Sequence, residues 1–161
     1  MKVQAKNSQI KSKQRVKDFA EVFTNEREVK SMCDLVPPEI WENIESTVLE
    51  PACGNGNFIV EILKRKYSHC KTEKDGLKAL SSVVGIDIQQ DNVKECRARL
   101  LKQFMEVFPK ANELTILLAS GILTNNILCD DFLNPSGKLK AMGIKPNEEY
   151  VKALKHRKLI T

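Results

Sequence analysis

The chain has 161 residues, of which 42% are apolar and 29% are charged, and its formal net charge is +5. These proportions are typical of an ordinary globular domain and disfavour a disordered chain. The longest apolar stretch, residues 114–123, is about half of the roughly 20 residues that a membrane span requires. The polar start of the chain also lacks the apolar core of a secretory leader, so we expect a cytoplasmic protein with no membrane contact.

The five cysteines are widely spaced, and no two of them form a C-x-x-C pair. Their odd number favours reduced thiols in a cytoplasm. The two histidines, His69 and His156, are far apart in sequence. Because structural zinc sites need close pairs of ligands, we expect no metal.

Positive charge is concentrated at the two ends of the chain. Residues 1–17 contain six Lys or Arg and no acid, and residues 138–161 contain seven Lys or Arg and two acids. Such ends either contact nucleic-acid phosphates or are simply solvated termini, and both interpretations stay open. We therefore expect a basic arm at 1–17, a folded domain at 18–135 and a basic tail at 136–161.

Two short helices and a strand are predicted after the basic arm. Asn25 is a candidate N-cap for a helix that Pro37-Pro38 ends. Pro38 also suits the first turn of a second helix over residues 39–43. Residues 47–49 resemble a short strand, which leads directly into a glycine-containing turn at residues 50–57.

A helix, a loop and a second strand are predicted next. After the turn, apolar residues recur at helical spacing, and the basic run 64–66 lies near the expected helix end, where positive charge is favourable. Residues 68–76 are polar and contain Gly76, so we expect a loop. The apolar, β-branched run 82–88 predicts a strand that ends near Asp87.

The longest helix is predicted over residues 93–108. Its apolar residues form one stripe, and Pro109 follows its end. Asn92, with Glu95 three residues later, resembles a capping box, which predicts that the helix starts there.

A shorter helix, a third strand and a tail complete the prediction. The helix covers residues 112–118 and is expected to end at Gly121. Residues 127–129 form a short strand, and residues 134–137 are typical of a turn. Residues 147–158 are compatible with a polar terminal helix.

Alternation of strands and helices predicts an α/β fold with a parallel sheet and right-handed crossovers. In such sheets, ligands bind at the carboxyl ends of the strands. The three predicted strands end at Glu50, Asp87 and Asp131. These three ends are therefore the candidate binding site.

Gly54 and Gly56 let the backbone at the first strand end approach a ligand closely. A dinucleotide-binding turn requires a third glycine where Ile59 stands, and the chain has no G-K-[S/T] sequence of a phosphate-binding loop. Pyrophosphate binding is therefore disfavoured. A plain glycine-rich turn is the alternative interpretation.

A carboxylate at the second strand end, Asp87, is placed to accept hydrogen bonds from the two hydroxyls of a ribose. The alternatives for Asp87 and Asp131 are helix capping or simple solvation. The occurrence of three such strand ends in order along the chain favours one shared ligand site.

The run Leu49-Glu50-Pro51-Ala52-Cys53-Gly54-Asn55-Gly56-Asn57-Phe58 resembles the first motif of S-adenosylmethionine-dependent N6-adenine DNA methyltransferases of restriction-modification systems. Residues 85–88, Gly-Ile-Asp-Ile, resemble the second motif of that family, and residues 126–132 resemble the third. In the third motif Asp130 stands where the family usually has glycine. Residues 21–24, Glu-Val-Phe-Thr, resemble the N-terminal cofactor segment, although Ala20 and Asn25 replace its usual Gly and Pro.

This resemblance implies a partial class I methyltransferase fold, Rossmann-like, with about three parallel strands and flanking helices. It implies that Asp87 holds the cofactor ribose, that Asp131 reads the adenine amino group, and that Phe23 and Thr24 touch the methionine portion. The implied cofactor-binding residues are Phe23, Thr24, Glu50, Pro51, Ala52, Cys53, Gly54, Gly56, Asn57, Phe58, Asp87, Ile88, Asp131 and Phe132.

The acceptor motif of that family, Asn/Asp-Pro-Pro-Tyr/Phe, has no counterpart in the chain. The only Pro-Pro pair in the sequence, Pro37-Pro38, comes before the first strand. Asn134-Pro135 lacks the second proline and the aromatic residue of the motif. We assign no catalytic residue. The expectation is the S-adenosyl-L-methionine-binding part of a DNA adenine methyltransferase, with DNA and a second subunit that carries the missing motif as partners. A non-catalytic cofactor-binding or regulatory module is the alternative, and a related enzyme acting on RNA or protein is a third.

Overall fold

The computed structural model describes residues 9–19, 21–144 and 146. Two short helices, α1 (Lys13–Phe19) and α2 (Glu26–Cys33), precede the one-turn helix α3 (Glu39–Glu42). The remaining elements in chain order are β1 (Val48–Glu50), α4 (Asn57–Tyr67), α5 (Glu73–Ser81), β2 (Val83–Asp87), α6 (Gln90–Val107), α7 (Glu113–Asn126), β3 (Ile127–Cys129) and α8 (Gly137–Ala141). The predicted helix at 147–158 lies outside the described residues.

The three strands form one parallel sheet in the order β1-β2-β3. Val48 pairs with Val83, and Gly85 pairs with both Glu50 and Ile127. The predicted α/β class and three-stranded parallel sheet are therefore confirmed. The first crossover contains two helices, α4 and α5, where the sequence predicts one, and the second contains α6 and α7, in line with the two helices predicted between the second and third strands.

Most of the apolar core lies on one face of the sheet. Val83 and Ile127 are buried there among residues of the helices, including Ile59, Leu63 and Leu100. Because side chains alternate along a strand, Ile86 and Leu128 point to the opposite face. A smaller cluster forms there around Leu139 of α8, so part of the predicted basic tail packs against the sheet.

The expectation of a loop over residues 68–76 is wrong, because α5 begins at Glu73. Thr72 and Asp75 form a capping box in which each side chain accepts from the other residue's backbone N–H. Gly76 lies inside this helix against an aromatic ring, and a Cβ at this position would be 2.3 Å from Cε2 of Phe108. This glycine therefore allows close packing instead of breaking the helix.

Two predicted helix boundaries are also wrong. Helix α7 continues through Gly121 to Asn126, although its start is capped as expected by Asn112, which accepts from the Thr115 N–H at 2.9 Å. Helix α6 begins at Gln90, so Asn92 lies inside it and does not cap it. The side chain of Asn92 is buried and bonds to residues distant in sequence, as described below.

The basic run 64–66 is not uniformly a solvated helix end, because Lys66 is fully buried. Its ammonium group donates to the backbone oxygens of Ile44 and Ser46 and, at 2.8 Å, to the hydroxyl of Ser82. Burial lowers the pKa of Lys66 to about 8. Lys66 therefore joins the segment before β1 to the residue before β2.

No helix among the described residues is long and apolar enough to cross a membrane.

Candidate functional site

A cavity of about 540 Å³ lies at the carboxyl ends of the three strands. Its walls are the turn after β1, the residues after β2, the loop after β3 and the segment 21–24 that precedes α2. The parallel arrangement brings the strand ends together because all three strands finish at the same edge of the sheet.

The structure gathers the predicted site residues around this cavity, with one exception. All of them line it except Gly56, which is a buried residue of the turn. The cavity also has lining residues that the sequence reasoning did not assign: Glu21, Val22, Asn55, Gln89, Asp130 and Leu133. Four of them, Glu21, Val22, Asn55 and Asp130, lie inside the segments that carry the motif resemblance, so treating those segments as continuous would have found them. Gln89 and Leu133 directly follow such segments.

The turn after β1 requires both of its glycines. Gly54 and Gly56 have φ angles of 52° and 93°, in the left-handed region that glycine adopts at low cost. A Cβ at Gly56 would also lie 2.6 Å from Sγ of Cys96, and one at Gly54 would lie 3.1 Å from the ring of Phe23. The turn is thus packed between α6 on one side and the segment 21–24 on the other.

Asp87 anchors this turn to the second strand. Its Oδ2 accepts from the Gly54 N–H at 2.9 Å, and its Oδ1 accepts from the Gln89 N–H at 2.7 Å and from Nδ2 of Asn92 at 3.2 Å. A carboxylate has about four lone-pair positions, so three protein donors leave one position for a ligand.

The other acidic residues of the cavity have different surroundings. Burial raises the pKa of Glu50, whose Oε1 accepts from the Ala52 N–H at 3.3 Å. A hydrogen bond from the Asn134 side chain holds the pKa of Asp131 below its usual range. Asp130 instead accepts from the backbone and hydroxyl of Ser136, which fixes the loop after β3.

The walls of the cavity carry negative charge. Five carboxylate residues line it, and none of the described lining residues is Lys, Arg or His. The acids are Glu21, Glu50, Asp87, Asp130 and Asp131. Such a site favours a ligand with hydroxyl donors or positive charge and disfavours a phosphorylated one.

The N-terminal segment is tied to α6 through ion pairs. Lys11 approaches Asp91 at 3.0 Å and Glu95 at 2.8 Å, and Arg15 bridges Asp91 and Glu21. The hydrogen bond from Arg15 holds the pKa of Asp91 below its usual range. These two basic residues of the predicted arm are therefore paired with acids of the same chain, and phosphate contact by the rest of the arm stays a prediction.

A second cavity of about 480 Å³ lies next to the first. It shares Phe23, Thr24, Asn55 and Asn57 with the first cavity, and its lining includes both acidic and basic residues. Its mixed charge distinguishes it from the uniformly acidic cavity at the strand ends.

The acids of the first cavity surround it without meeting at one point. Within the part of the chain that the structure describes, no group of three or more His, Cys, Asp or Glu residues is arranged to hold a metal ion. The chain matches no protein-family model, no curated protein and no solved structure.

Proposed function

We propose that the chain is the S-adenosyl-L-methionine-binding part of a DNA N6-adenine methyltransferase. The observation that supports this proposal best is the cavity at the strand ends, which is lined by five carboxylates and by no basic residue among those described. The segments that resemble the family's motifs also contribute most of the residues that line the cavity, which supports the proposal.

S-adenosylmethionine fits the chemistry of this cavity. It carries a sulfonium, an ammonium and one carboxylate group, so its net charge is positive, and it has two ribose hydroxyls and no phosphate. The carboxylates of Glu50 and Asp87 offer acceptors for the ammonium and a hydroxyl, and Phe23 and Phe132 offer apolar surface. ATP or a nicotinamide dinucleotide would bring phosphates against like charge.

The acceptor side of the reaction belongs to a partner in this proposal. Among the described residues β1 pairs only with β2, so its other edge is open for a further strand. A second subunit or a further segment that covers this edge would supply the Asn/Asp-Pro-Pro-Tyr/Phe motif and the contacts that recognise DNA. A non-catalytic cofactor-binding module remains the second candidate, since the only Pro-Pro pair of the chain precedes β1.

Calorimetric titration of the full chain with S-adenosylmethionine tests the proposal, with ATP as the comparison ligand. We expect saturable binding of the first and binding of ATP that is at least about a hundredfold weaker, because like charges placed together cost several kcal/mol. Absence of S-adenosylmethionine binding at millimolar concentration, or equal affinity for ATP, would contradict the proposal.

The purified chain is expected to bind the cofactor without methylating DNA. Transfer needs the acceptor nitrogen held about 3–3.5 Å from the methyl group, and an aromatic pocket must offset the cost of extruding the base. The measurement is incorporation of tritiated methyl groups into DNA that lacks adenine methylation. Incorporation above a heat-inactivated control would mean that the chain has an acceptor site of its own.

A further inference from the structure

Glu21 has an oxygen that lacks a donor. Its side chain is only 9% exposed and lines the cavity at the strand ends. Its Oε2 accepts from Nε and Nη2 of Arg15 at 3.1 and 2.5 Å and from Nδ2 of Asn92 at 2.8 Å. Its Oε1 is buried and has no hydrogen-bond partner among the described residues. A buried, unpaired carboxylate oxygen is costly, and a small rotation that turns Oε1 toward the cavity and a donor on a bound molecule would relieve that cost.

Asn92 places Glu21 beside Asp87. Its side-chain amide donates both to Glu21 Oε2 and, at 3.2 Å, to Asp87 Oδ1. The amide is fixed in turn because its own oxygen accepts from Nζ of Lys11 at 2.8 Å. The carboxylates of Glu21 and Asp87 therefore lie side by side, although they are 66 positions apart in the sequence.

The hydrogen bonds of Asp87 limit what it offers to a ligand. Gly54, Gln89 and Asn92 already occupy three of its roughly four lone-pair positions. A ribose presents two hydroxyl donors, so Asp87 has room for one of them. The second hydroxyl needs another acceptor on the same side of the cavity.

We propose that Glu21 and Asp87 share the ribose of the bound cofactor, one hydroxyl each, with Glu21 Oε1 as the second acceptor. This inference rests on the proposed function and adds a specificity-determining residue that the motif resemblance does not supply. Asn92 and Arg15 act as positioning residues, because they contact Glu21 Oε2 and leave Oε1 for the ligand.

Glu21→Gln tests this assignment. Arg15 and Asn92 both donate to the Oε2 position, so the amide oxygen of glutamine should stay there and its NH₂ group should replace Oε1. The acceptor at the Oε1 position thereby becomes a donor. We expect affinity for S-adenosylhomocysteine to fall about ten- to a hundredfold. Glu106→Gln, an exposed position outside the cavity, is the matched control and should keep wild-type affinity.

The 2′-deoxy and 3′-deoxy analogues of S-adenosylhomocysteine distinguish ligand contact from a merely structural role. For the analogue that lacks the hydroxyl bound by Glu21, the affinities of the wild type and Glu21→Gln should differ by less than about threefold. For the other analogue, they should differ as much as they do for the parent ligand. Equal affinity of Glu21→Gln and wild type for the parent ligand would overturn the assignment and leave the proposed function intact. An equal loss of affinity in Glu21→Gln for the parent ligand and both analogues would also overturn the assignment and leave the proposed function intact.

The wild-type protein gives a second test that does not depend on the variant folding. Because each hydroxyl has its own carboxylate, both deoxy analogues should bind more weakly than the parent compound. If one hydroxyl alone affects wild-type affinity, the shared arrangement is wrong. Failure of the wild type to bind S-adenosylhomocysteine at all would overturn the proposed function together with this assignment.

Discussion

Lys66→Ala is expected to lower the free energy of unfolding by about 3–5 kcal/mol. The substitution leaves a cavity where a fully buried side chain stood, a change that typically costs 2–5 kcal/mol for a long side chain. It also removes the ammonium donor from the partly buried Ser46 carbonyl and from the buried hydroxyl of Ser82, and a buried group left without its partner costs about 1–3 kcal/mol. Lys66→Met keeps most of the volume and also removes the cost of burying a charge, so it should lower the free energy of unfolding by less than Lys66→Ala does.

Denaturant unfolding of the full chain measures both effects. Lys94→Ala is the matched control, because Lys94 is an exposed lysine of α6, and we expect a change within about 0.5 kcal/mol. If Lys66→Ala lowered the free energy of unfolding no more than Lys94→Ala does, the buried ammonium would not hold the segment before β1 against β2. The position of the turn that follows β1 would then need another explanation.

The pH dependence gives an independent check on Lys66. Its pKa is about 8 in the folded chain and about 10.4 in an unfolded one. Between these values the unfolded state binds more protons, so this residue makes stability rise with pH, by at most about 1.4 kcal/mol per unit. Burial also raises the pKa of Cys33 and raises the pKa of Cys70 to about 11. Because the unfolded state loses these protons first, the two cysteines make stability fall as the pH rises and oppose the effect of Lys66. The difference between wild type and Lys66→Met should therefore be measured, and it should grow from pH 8 to 10.

Asp87→Asn is expected to weaken S-adenosylmethionine binding by about a hundredfold or more. The variant loses the charge that strengthens the bond to a ribose hydroxyl, a contribution of about 1.5–3 kcal/mol. Its new NH₂ group also either faces the Gly54 N–H, which donates to Oδ2 in the wild type, or replaces the Oδ1 that accepts from Gln89. Two effects thus combine, because the turn after β1 loses its anchor as well.

Calorimetric titration measures this change, and Asp34→Asn is the control. Asp34 is an exposed acid that pairs with Arg65, and it does not line either cavity. We expect its affinity to equal that of the wild type. Unchanged affinity in Asp87→Asn, with binding intact in the wild type, would exclude Asp87 as a ribose ligand.

The strands and the turn after β1 could be predicted because their signals are local. The runs at 82–88 and 127–129 are short, apolar and bounded by polar residues, and the structure has β2 and β3 there. Gly54 and Gly56 likewise stand where positive φ angles occur. The parallel order followed from the alternation of elements, so the gathering of three strand ends was foreseeable.

The helix errors arose where a local signal had a different structural meaning. Gly76 in a polar run predicts a loop, but it lies in α5, where Phe108 occupies the space that a side chain would need. The Thr72–Asp75 capping box was present in the sequence and would have predicted that helix. At Gly121 the helical continuation of α7 outweighs the weak helix preference of glycine.

Long-range polar contacts could not be predicted from local patterns. Asn92 resembled a helix cap, yet it joins Lys11, Glu21 and Asp87, which are dispersed along the chain. The basic run 64–66 indicated only a favourable charge near a helix end, yet the acceptors of Lys66 come from two other segments. Such roles depend on how distant elements pack, which residue spacing does not encode.

The most direct test of the central claim is a two-dimensional amide NMR titration of the full chain with S-adenosylhomocysteine. We predict saturable shifts for the amides of Gly54, Ile88 and Phe132, which border the cavity at the strand ends, and unchanged signals for Lys78 and Lys102 on distant helices. No shifts at millimolar ligand would contradict the account. Shifts confined to the second cavity, at Glu26 and Lys64, would equally contradict it, because the ligand would then bind away from the strand ends.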